Sequence, residues 1–279
     1  MVLMDGKALR NKILVELQEK IKKENINATL AIILVGENEA SKIYIKNKVK
    51  ACEEIGIVSK VYNLAENTSE AELCNLINEL NFDEEITGII LQSPVPNHID
   101  FDKCSSLIKN SKDVDGFTMA NTYDLYLNSE SLVPCTVKAI IKLLEEYQIN
   151  LEGANVVVVG RGNIVGKPLM LALLNRNATV TITHSKTKNL EEITKKADIL
   201  IAAVGKPKLI TSDMVKDGAV VIDVGISRIE GKIVGDVDFA NVSNKCSYIT
   251  PVPGGVGPMT VAMIMENVLI AKEMSDNNG

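Results

Sequence analysis

The sequence predicts an α/β protein of two domains, at least one of them a doubly wound parallel sheet, and three observations carry that prediction. Apolar runs of strand length alternate with segments of helical apolar spacing along most of the chain, the pattern of sheets covered by helices. The runs at 30–35 and 156–159 are apolar throughout rather than alternating, as strands buried on both faces of a parallel sheet require. A chain of 279 residues with 46% hydrophobic content suits two cores of ordinary size better than one large one.

The elements follow in order. Leu9, Ile13, Leu14, Leu17 and Ile21 recur among charges at helical spacing, so a helix opens the chain. Residues 30–35 form a strand ended by Gly36, and a second helix runs from about 39 to 55. Residues 57–64 read as a strand, and Ser69 with Glu72 three residues later is a capping box that starts a helix through Leu80. A strand at 87–91 runs into Gln92-Ser93-Pro94-Val95-Pro96, where the prolines end regular structure. From 101 to 126 the pattern blurs, with a short helical pattern around Leu107 and a turn at Asp113-Val114-Asp115-Gly116. Thr136 can cap a helix to about Tyr147. Alternation then resumes, with strands at 156–159, 179–183, 199–204 and 219–224 and helices at 169–174 and 190–196. The glycine- and proline-rich segment 251–258 precedes a last helix at 261–271, and the tail after Glu273 reads as frayed.

Composition narrows the function. The net charge is −6 with both signs interspersed, which offers no electrostatic footprint for nucleic acid or a membrane surface. Five cysteines, at 52, 74, 104, 135 and 246, include no C-x-x-C pair, and there are two histidines. Few zinc ligands are therefore available, and a lone Asp-x-Asp is no metal site, so no metal is expected and the thiols read as reduced and structural. No basic leader precedes a long apolar segment and no run reaches bilayer length, so a soluble cytoplasmic protein is expected.

The leading ligand-binding candidate is Gly160-Arg161-Gly162-Asn163-Ile164-Val165-Gly166. It joins the strand at 156–159 to a helix and then to the strand at 179–183, a βαβ unit of about thirty residues, which is the context a dinucleotide fingerprint requires. Such a turn brings backbone N–H groups close to a phosphate and adds the positive end of the helix dipole. The spacing G-x-G-x-x-x-G is one residue longer than the commonest form. An NAD site places a carboxylate about twenty residues on, at the ribose; here the second strand ends in Thr183-His184-Ser185-Lys186. Arg161 and Ser185, with Lys186, suit a ribose phosphate instead, which favours NADP. The alternative is that His184, Ser185 and Lys186 are ordinary exposed loop residues.

The second helix carries an oddity. At about 100° per residue, Ala40, Tyr44, Ile45, Ala51, Cys52 and Ile55 share an arc while Lys42, Lys46 and Lys50 lie opposite, yet Lys48 falls within the apolar arc. Burying an amine costs desolvation and lowers its pKa, a property suited to proton transfer. Tyr44 projects one turn earlier. A lysine snorkelling from the edge of the face or paired to a carboxylate is the competing reading.

Taken together, Val35-Gly36 with Ala40-Ser41, Tyr44 and Lys48; Gly88-Ile89-Ile90-Leu91-Gln92 with Pro94 and Pro96; Lys112-Asp113-Val114-Asp115-Gly116-Phe117; Pro134-Cys135-Thr136; the Gly160 turn; His184-Ser185-Lys186-Thr187; and the block from Thr250 through Pro251, Gly254, Gly255 and Gly257 to Thr260 resemble the bifunctional methylenetetrahydrofolate dehydrogenase/cyclohydrolase family over nearly the whole chain. The resemblance implies NADP-dependent oxidation of 5,10-methylenetetrahydrofolate to the methenyl form and its hydrolysis to 10-formyltetrahydrofolate. It implies a catalytic and folate-binding α/β domain at 1–137 with 258–279, to which the C-terminal helix returns, and a Rossmann-like NADP-binding domain at 138–257. Carried onto matching positions, Lys48 is the catalytic lysine, Gln92 tunes it, Tyr44 stacks on the folate and Asp115 holds the pterin. Pro94, Gly257 and Thr260 fall at folate-contacting positions, and Gly160 to Gly166 with His184 and Ser185 at the cofactor. Cys135 looks like a buried thiol.

Some readings stay open beside this. Asp113 and Asp115 read equally as turn residues, and Thr260 is placed to cap the last helix. Val137 and Ala139 stand where the family usually has proline and glycine, Ser93 where an apolar residue is common, and Gly162 where serine is frequent. A homodimer is implied by the resemblance alone. The alternatives to the bifunctional enzyme are a dehydrogenase without the hydrolase and a dinucleotide-binding regulatory protein without either chemistry; Lys48, Gln92 and Asp115 together argue against the last.

Overall fold

The computed structural model describes residues 1–129 and 132–277. They form two compact units, Met1–Asn11 with Thr136–Thr260, and Lys12–Cys135 with Val261–Gly279.

The chain opens with a two-residue strand, β1 (Val2–Leu3), before helix α1 (Gly6–Glu24), so the helix is the second element rather than the first. Leu9, Ile13, Leu14, Leu17 and Ile21 are all buried, as their spacing requires. Next come β2 (Thr29–Val35), α2 (Glu39–Ile55), β3 (Val58–Leu64), α3 (Glu70–Phe82) and β4 (Gly88–Leu91). The three strands pair in parallel in the order β3-β2-β4. The central strand is β2, and its residues from Leu30 to Val35 are buried, which is why its sequence is apolar on both faces. Asn38 caps α2 by accepting from the Ser41 N–H. Ser69 and Glu72 form the expected capping box on α3.

The region from 101 to 126 resolves into α4 (Phe101–Ser105), one 3-10 turn at Asn110–Lys112 and α5 (Met119–Tyr126). Leu107 lies beyond the end of α4 and is 38% exposed, so the helical pattern centred on it is displaced; Asp100 caps the helix earlier, accepting from the Lys103 N–H at 3.0 Å. The core of this unit gathers Ala31, Ile33 and Val35 with Leu73, Ile77, Ile89 and Cys104.

The other unit continues with α6 (Cys135–Glu146), β5 (Asn155–Val159), α7 (Gly166–Leu174), β6 (Thr179–Thr183), α8 (Leu190–Thr194), β7 (Ile199–Ala202), β8 (Val220–Asp223), β9 (Ser227–Ile229), β10 (Lys232–Val234), α9 (Phe239–Val242) and β11 (Tyr248–Ile249), and the chain ends in α10 (Val256–Asn277). Six strands form a parallel sheet in the order β1-β11-β8-β7-β5-β6, the expected doubly wound arrangement. From β5 the chain passes to β6 on one side and then to β7 on the other, which makes the β5/β7 boundary the topological switch point. The core on one face joins Val157, Val159, Leu200, Val221 and Ile249.

Residues 1–11 group by contact with 136–260, because β1 pairs with β11 and the Tyr147 hydroxyl accepts from the Asp5 N–H at 2.7 Å and donates to the Leu3 carbonyl at 3.2 Å. Three expectations about helix ends are corrected. Thr136 lies inside α6 rather than capping it, since the helix begins at Cys135. Thr260 is not a cap either: α10 begins at Val256, and the Thr260 hydroxyl donates back to the Gly257 carbonyl at 2.7 Å. The tail after Glu273 stays helical to Asn277, with Lys272 paired to Asp276 one turn on at 2.7 Å.

No helix among the described residues is long and apolar enough to cross a membrane. Replacing Ser69 by Ala removes the hydroxyl that accepts from the Glu72 N–H while keeping the backbone N–H that donates to the Glu72 carboxylate, and is expected to lower the unfolding free energy by about 1 kcal/mol, read from the midpoint of denaturant unfolding at constant slope.

Candidate active site

In the unit holding Lys12–Cys135, the buried face of α2 comprises Ser41, Ile45, Lys48, Ala51, Cys52 and Ile55. Lys48 is only 7% exposed, so it belongs to the apolar face and does not snorkel. Its ammonium donates to Gln92 Oε1 at 2.9 Å. Gln92 follows directly on β4 and is anchored twice, through its backbone N–H to the Ile33 carbonyl at 2.9 Å and through Nε2 to the Ser93 carbonyl at 2.8 Å. The second bond orients the amide: with the NH₂ turned to a carbonyl, the oxygen is left for the lysine. The Ser41 hydroxyl also donates to the Ser93 carbonyl, at 3.4 Å.

Tyr44 sits one turn before Lys48 and is exposed. Its ring is therefore open to a ligand and not packed in the core. Pro94 follows Ser93 through a cis peptide bond. It lines an open cavity of about 610 Å³ together with Val35, Asn38 and Val95, whose walls include neither Lys48 nor Gln92.

The two aspartates of the Asp113-Val114-Asp115-Gly116 segment do different jobs. Asp113 is buried, and its carboxylate accepts from the Gly116 N–H at 2.9 Å, the Thr118 N–H at 2.7 Å and Asn121 Nδ2 at 3.0 Å. It is the turn residue. Asp115 is half-buried and its pKa is raised by burial, against the opposing pull of the Lys48 charge; Asp113 raises it further and a hydrogen bond from Cys135 lowers it. Lys48 and Asp115 thus share one electrostatic environment, with Gln92 on the lysine.

Two residues hold this loop, Asn267, which sequence reasoning passed over, and Cys135, the expected buried thiol. Asn267 on α10 is fully buried and donates through Nδ2 to the carbonyls of Val114 at 2.9 Å and Val133 at 3.0 Å. The Cys135 thiol donates to the same Val114 carbonyl at 3.2 Å. A lone amide within the apolar run 261–271 was the available signal, since a buried amide needs partners.

In the unit holding Thr136–Thr260, the Gly160 turn leaves the C-terminal end of β5 at the switch point. Its glycines divide by role. A Cβ on Gly160, whose φ is +125°, would meet the Ala203 carbonyl oxygen at 2.2 Å, and one on Gly166 would meet the Gly160 oxygen at 2.1 Å. Both are dictated by close backbone approach. Gly162 would meet nothing within 4 Å, so its open side faces free space. Arg161, Asn163 and Ile164 are exposed and Val165 is half-buried. Val165 stands at the cap position of α7 with no side-chain hydrogen bond; the Lys167 N–H is taken by the Gly162 carbonyl at 3.1 Å and Pro168 has no N–H, so in the first turn it is the Gly166 N–H that an anion could engage.

Because β5 and β6 pair with Val159 opposite Thr183, their following turns are neighbours. The His184 N–H donates to Thr187 Oγ1 at 2.9 Å and the Lys186 N–H donates to His184 Nδ1 at 3.1 Å, so this turn is self-held while Ser185 is exposed. Gly257 and Thr260 fall in this unit, apart from Tyr44, Lys48, Gln92 and Asp115 in the division of the chain. A Cβ on Gly257 would lie 3.5 Å from Cδ1 of Ile226, which is 48% exposed just beyond β8; Ile226 was not foreseen.

Two further carboxylates brace the switch-point loops. Asp236 Oδ2 accepts from the N–H groups of Val204 and Gly205 at 2.7 and 3.0 Å. Asp223 accepts from the N–H groups of Gly225, Asp236 and Val237 at 3.1, 2.9 and 3.0 Å. Its pKa is pushed up to about 6, burial first and the Asp236 charge adding to it, against the three backbone bonds. The departures from the family pattern are accommodated: Val137 and Ala139 are buried within α6, and Ser93 contributes its carbonyl. Among the described residues no group of three or more His, Cys, Asp or Glu side chains could hold a metal.

Comparison with known proteins gives two family matches, the tetrahydrofolate dehydrogenase/cyclohydrolase catalytic domain over residues 4–115 and the NAD(P)-binding domain of the same family over residues 134–276. The bifunctional protein FolD of Campylobacter concisus is 52% identical over 277 residues, covering 98% of both chains. The crystal structure of the bifunctional FolD methylenetetrahydrofolate dehydrogenase/cyclohydrolase of Campylobacter jejuni superposes with a TM-score of 0.96 at 53% identity, covering 99% of each chain. That of the Trypanosoma brucei enzyme complexed with NADP and inhibitor does so with a TM-score of 0.93 at 35% identity, over 99% of this chain and 98% of that one.

Asp223 supplies a test with a definite sign. A carboxyl whose folded-state pKa stands at about 6, above the unfolded value of about 3.9, contributes stability that is complete below pH 4 and lost as the pH rises through 6. Asp223→Asn lacks this titration, so the gap in melting temperature between wild type and variant should be larger at pH 4.5 than at pH 7. A gap that widens with pH would show that the three N–H bonds outweigh burial.

Proposed function

The chain belongs to the tetrahydrofolate dehydrogenase/cyclohydrolase family, and on that footing we propose how its residues divide the work. The protein oxidises 5,10-methylenetetrahydrofolate to 5,10-methenyltetrahydrofolate with NADP and hydrolyses the product to 10-formyltetrahydrofolate. The observation that carries the assignment of roles is the buried Lys48 ammonium held by Gln92 beside Asp115.

NADP supplies the hydride acceptor for the first step when bound. The Gly160 turn fits its phosphates: Gly162 leaves open space, and the start of α7 carries no side-chain cap. Arg161 and Ser185 are exposed on adjacent strand-end turns and supply the charge and hydroxyl for a ribose phosphate, with His184 shaping the second turn. Asn163, Ile164, Val165 and Gly166 complete the cradle.

Folate is bound chiefly by the catalytic unit. Asp115 accepts from adjacent N–H donors of the pterin, for which a carboxylate has two oxygens. Tyr44 offers an open aromatic face to the flat ring system, and Pro94 borders the loop that carries Gln92. Hydride transfer asks these groups mainly for position.

The hydrolysis asks for a managed proton. Water adds to the cationic methenyl carbon and its oxygen loses both protons as the carbonyl forms: one is matched by the proton that N5 gains as the C–N5 bond breaks, and the other leaves to solvent with the positive charge of the methenyl group. Lys48 is the group that gives a proton to N5 and takes one from the oxygen, and Gln92 holds the amine in place. We also read the protein as a cytoplasmic homodimer acting on small folates and not on nucleic acid or membranes, which family membership and the interspersed charges support.

Lys48→Met keeps the buried aliphatic stem and removes the amine. It is expected to slow hydrolysis of methenyltetrahydrofolate by at least about 100-fold, measured directly by loss of methenyl absorbance, with the circular dichroism of the folded chain retained. Hydrolysis at the wild-type rate would remove Lys48 from its role.

A further inference from the structure

We propose that Cys74 and Cys104 form a peroxide-oxidisable dithiol, a modification site that reversibly staples α4 to α3. Their sulfur atoms lie 3.7 Å apart, against the core between the two helices. A disulfide has an S–S distance of about 2.0 Å, so small side-chain movements close it. Cys74 keeps part of its surface open while Cys104 is buried, which provides one thiol that an oxidant can reach and one behind it. The two helices are already held in register by Glu70 on α3, which accepts from the Asp100 N–H at 2.9 Å and from Lys103 Nζ at 2.5 Å.

The other three cysteines are placed differently. All are buried, and their sulfurs meet other groups: Cys52 the Met265 thioether at 3.5 Å, Cys135 the Val114 carbonyl, and Cys246 the Ser243 carbonyl at 3.9 Å. Selectivity for the 74/104 pair follows from proximity and access.

The chemistry balances in two steps. The Cys74 thiolate attacks a peroxide oxygen; an S–O bond forms, the O–O bond breaks, and the departing hydroxide leaves as water with the thiol proton. The Cys104 sulfur then attacks the sulfenic sulfur; an S–S bond forms, the S–O bond breaks, and the second hydroxide leaves as water with the Cys104 proton. Two thiols lose two electrons to one peroxide. Burial pushes the Cys104 thiol up to about 12, with Cys74 and Glu70 adding to the effect and Lys103 opposing it. Cys74, the sulfur an oxidant can reach, is the first nucleophile and the buried Cys104 the resolving group.

The ring closed between positions 74 and 104 includes β4, Gln92 and Pro94. Oxidation thus restricts the segment that carries the lysine's partner, and it removes chain entropy from the unfolded state.

The test uses the full chain, treated with hydrogen peroxide in slight molar excess, alkylated under denaturing conditions and weighed intact. Expected are three alkylatable thiols in place of the five of the reduced chain, a 74–104 crosslink in the peptide map, its reversal by dithiothreitol, and a melting temperature higher by about 4 °C or more in the oxidised form. Cys104→Ala should leave Cys74 as sulfenic or higher acids with no crosslink. Five alkylatable thiols after treatment, or a crosslink at other positions, would overturn the site. An unchanged melting temperature would overturn the staple.

Discussion

An ammonium group buried in the apolar face of a helix must find an acceptor, because desolvating it without one costs several kcal/mol. Around Lys48 much of the local architecture serves that need. The acceptor is a neutral amide rather than a carboxylate, so the lysine is held in place without being locked into an ion pair. The amide oxygen is available because its NH₂ is committed to the Ser93 carbonyl, and the backbone of Gln92 is fixed as an extension of the β2/β4 ladder through the Ile33 carbonyl. A strand end, a helix face and a proline-bounded loop therefore converge on one nitrogen. Moving any of them by an ångström would strand the charge.

The same economy of polar groups recurs in the loops. Asp113, Asp223 and Asp236 each accept from backbone N–H groups, fixing segments that have no ladder of their own. Hydrogen bonds to charged groups contribute about 1.5–3 kcal/mol each, enough to hold an irregular loop against its conformational entropy. Asp115 stands apart. Its neighbours are the Cys135 thiol and the Lys48 charge, and the loop beneath it is held by others, namely Asp113 on one side and Asn267 with Cys135 on the Val114 carbonyl. A carboxylate freed from bracing its own backbone can be offered to a ligand.

This division also explains what was legible in the sequence. Regular elements with strong periodicity read well: the bounds of α2 and β6 match the sequence expectation, and the capping box of α3 is present in both its bonds. The burial of Lys48 was readable as an angle on a helical wheel, but its acceptor lies 44 positions away, a separation that periodicity does not register. By the turn pattern alone Asp113 and Asp115 were indistinguishable, since the difference lies in which backbone groups fold toward them. Short elements escaped as well. Strands β1 and β11 have two residues each, too few to show a period. The β9/β10 hairpin did carry a signal: Glu230 and Gly231 both adopt positive φ between strands paired Ile229 with Lys232, the geometry of a tight two-residue turn in which glycine is favoured.

The glycine-rich turn illustrates how structure changes the meaning of a motif. As a pattern, Gly160, Gly162 and Gly166 carry equal weight. In three dimensions Gly160 and Gly166 are required by the protein itself, since a side chain at either would run into backbone at about 2 Å, and any tight turn between β5 and α7 at this spacing would demand them whether or not anything bound. Gly162 has no such internal reason. At Gly162 neither a close approach nor a left-handed backbone requires glycine, and a serine, frequent there in the family, would fit in the same space. The outer glycines of the motif are thus explained by the fold, and the middle one is not.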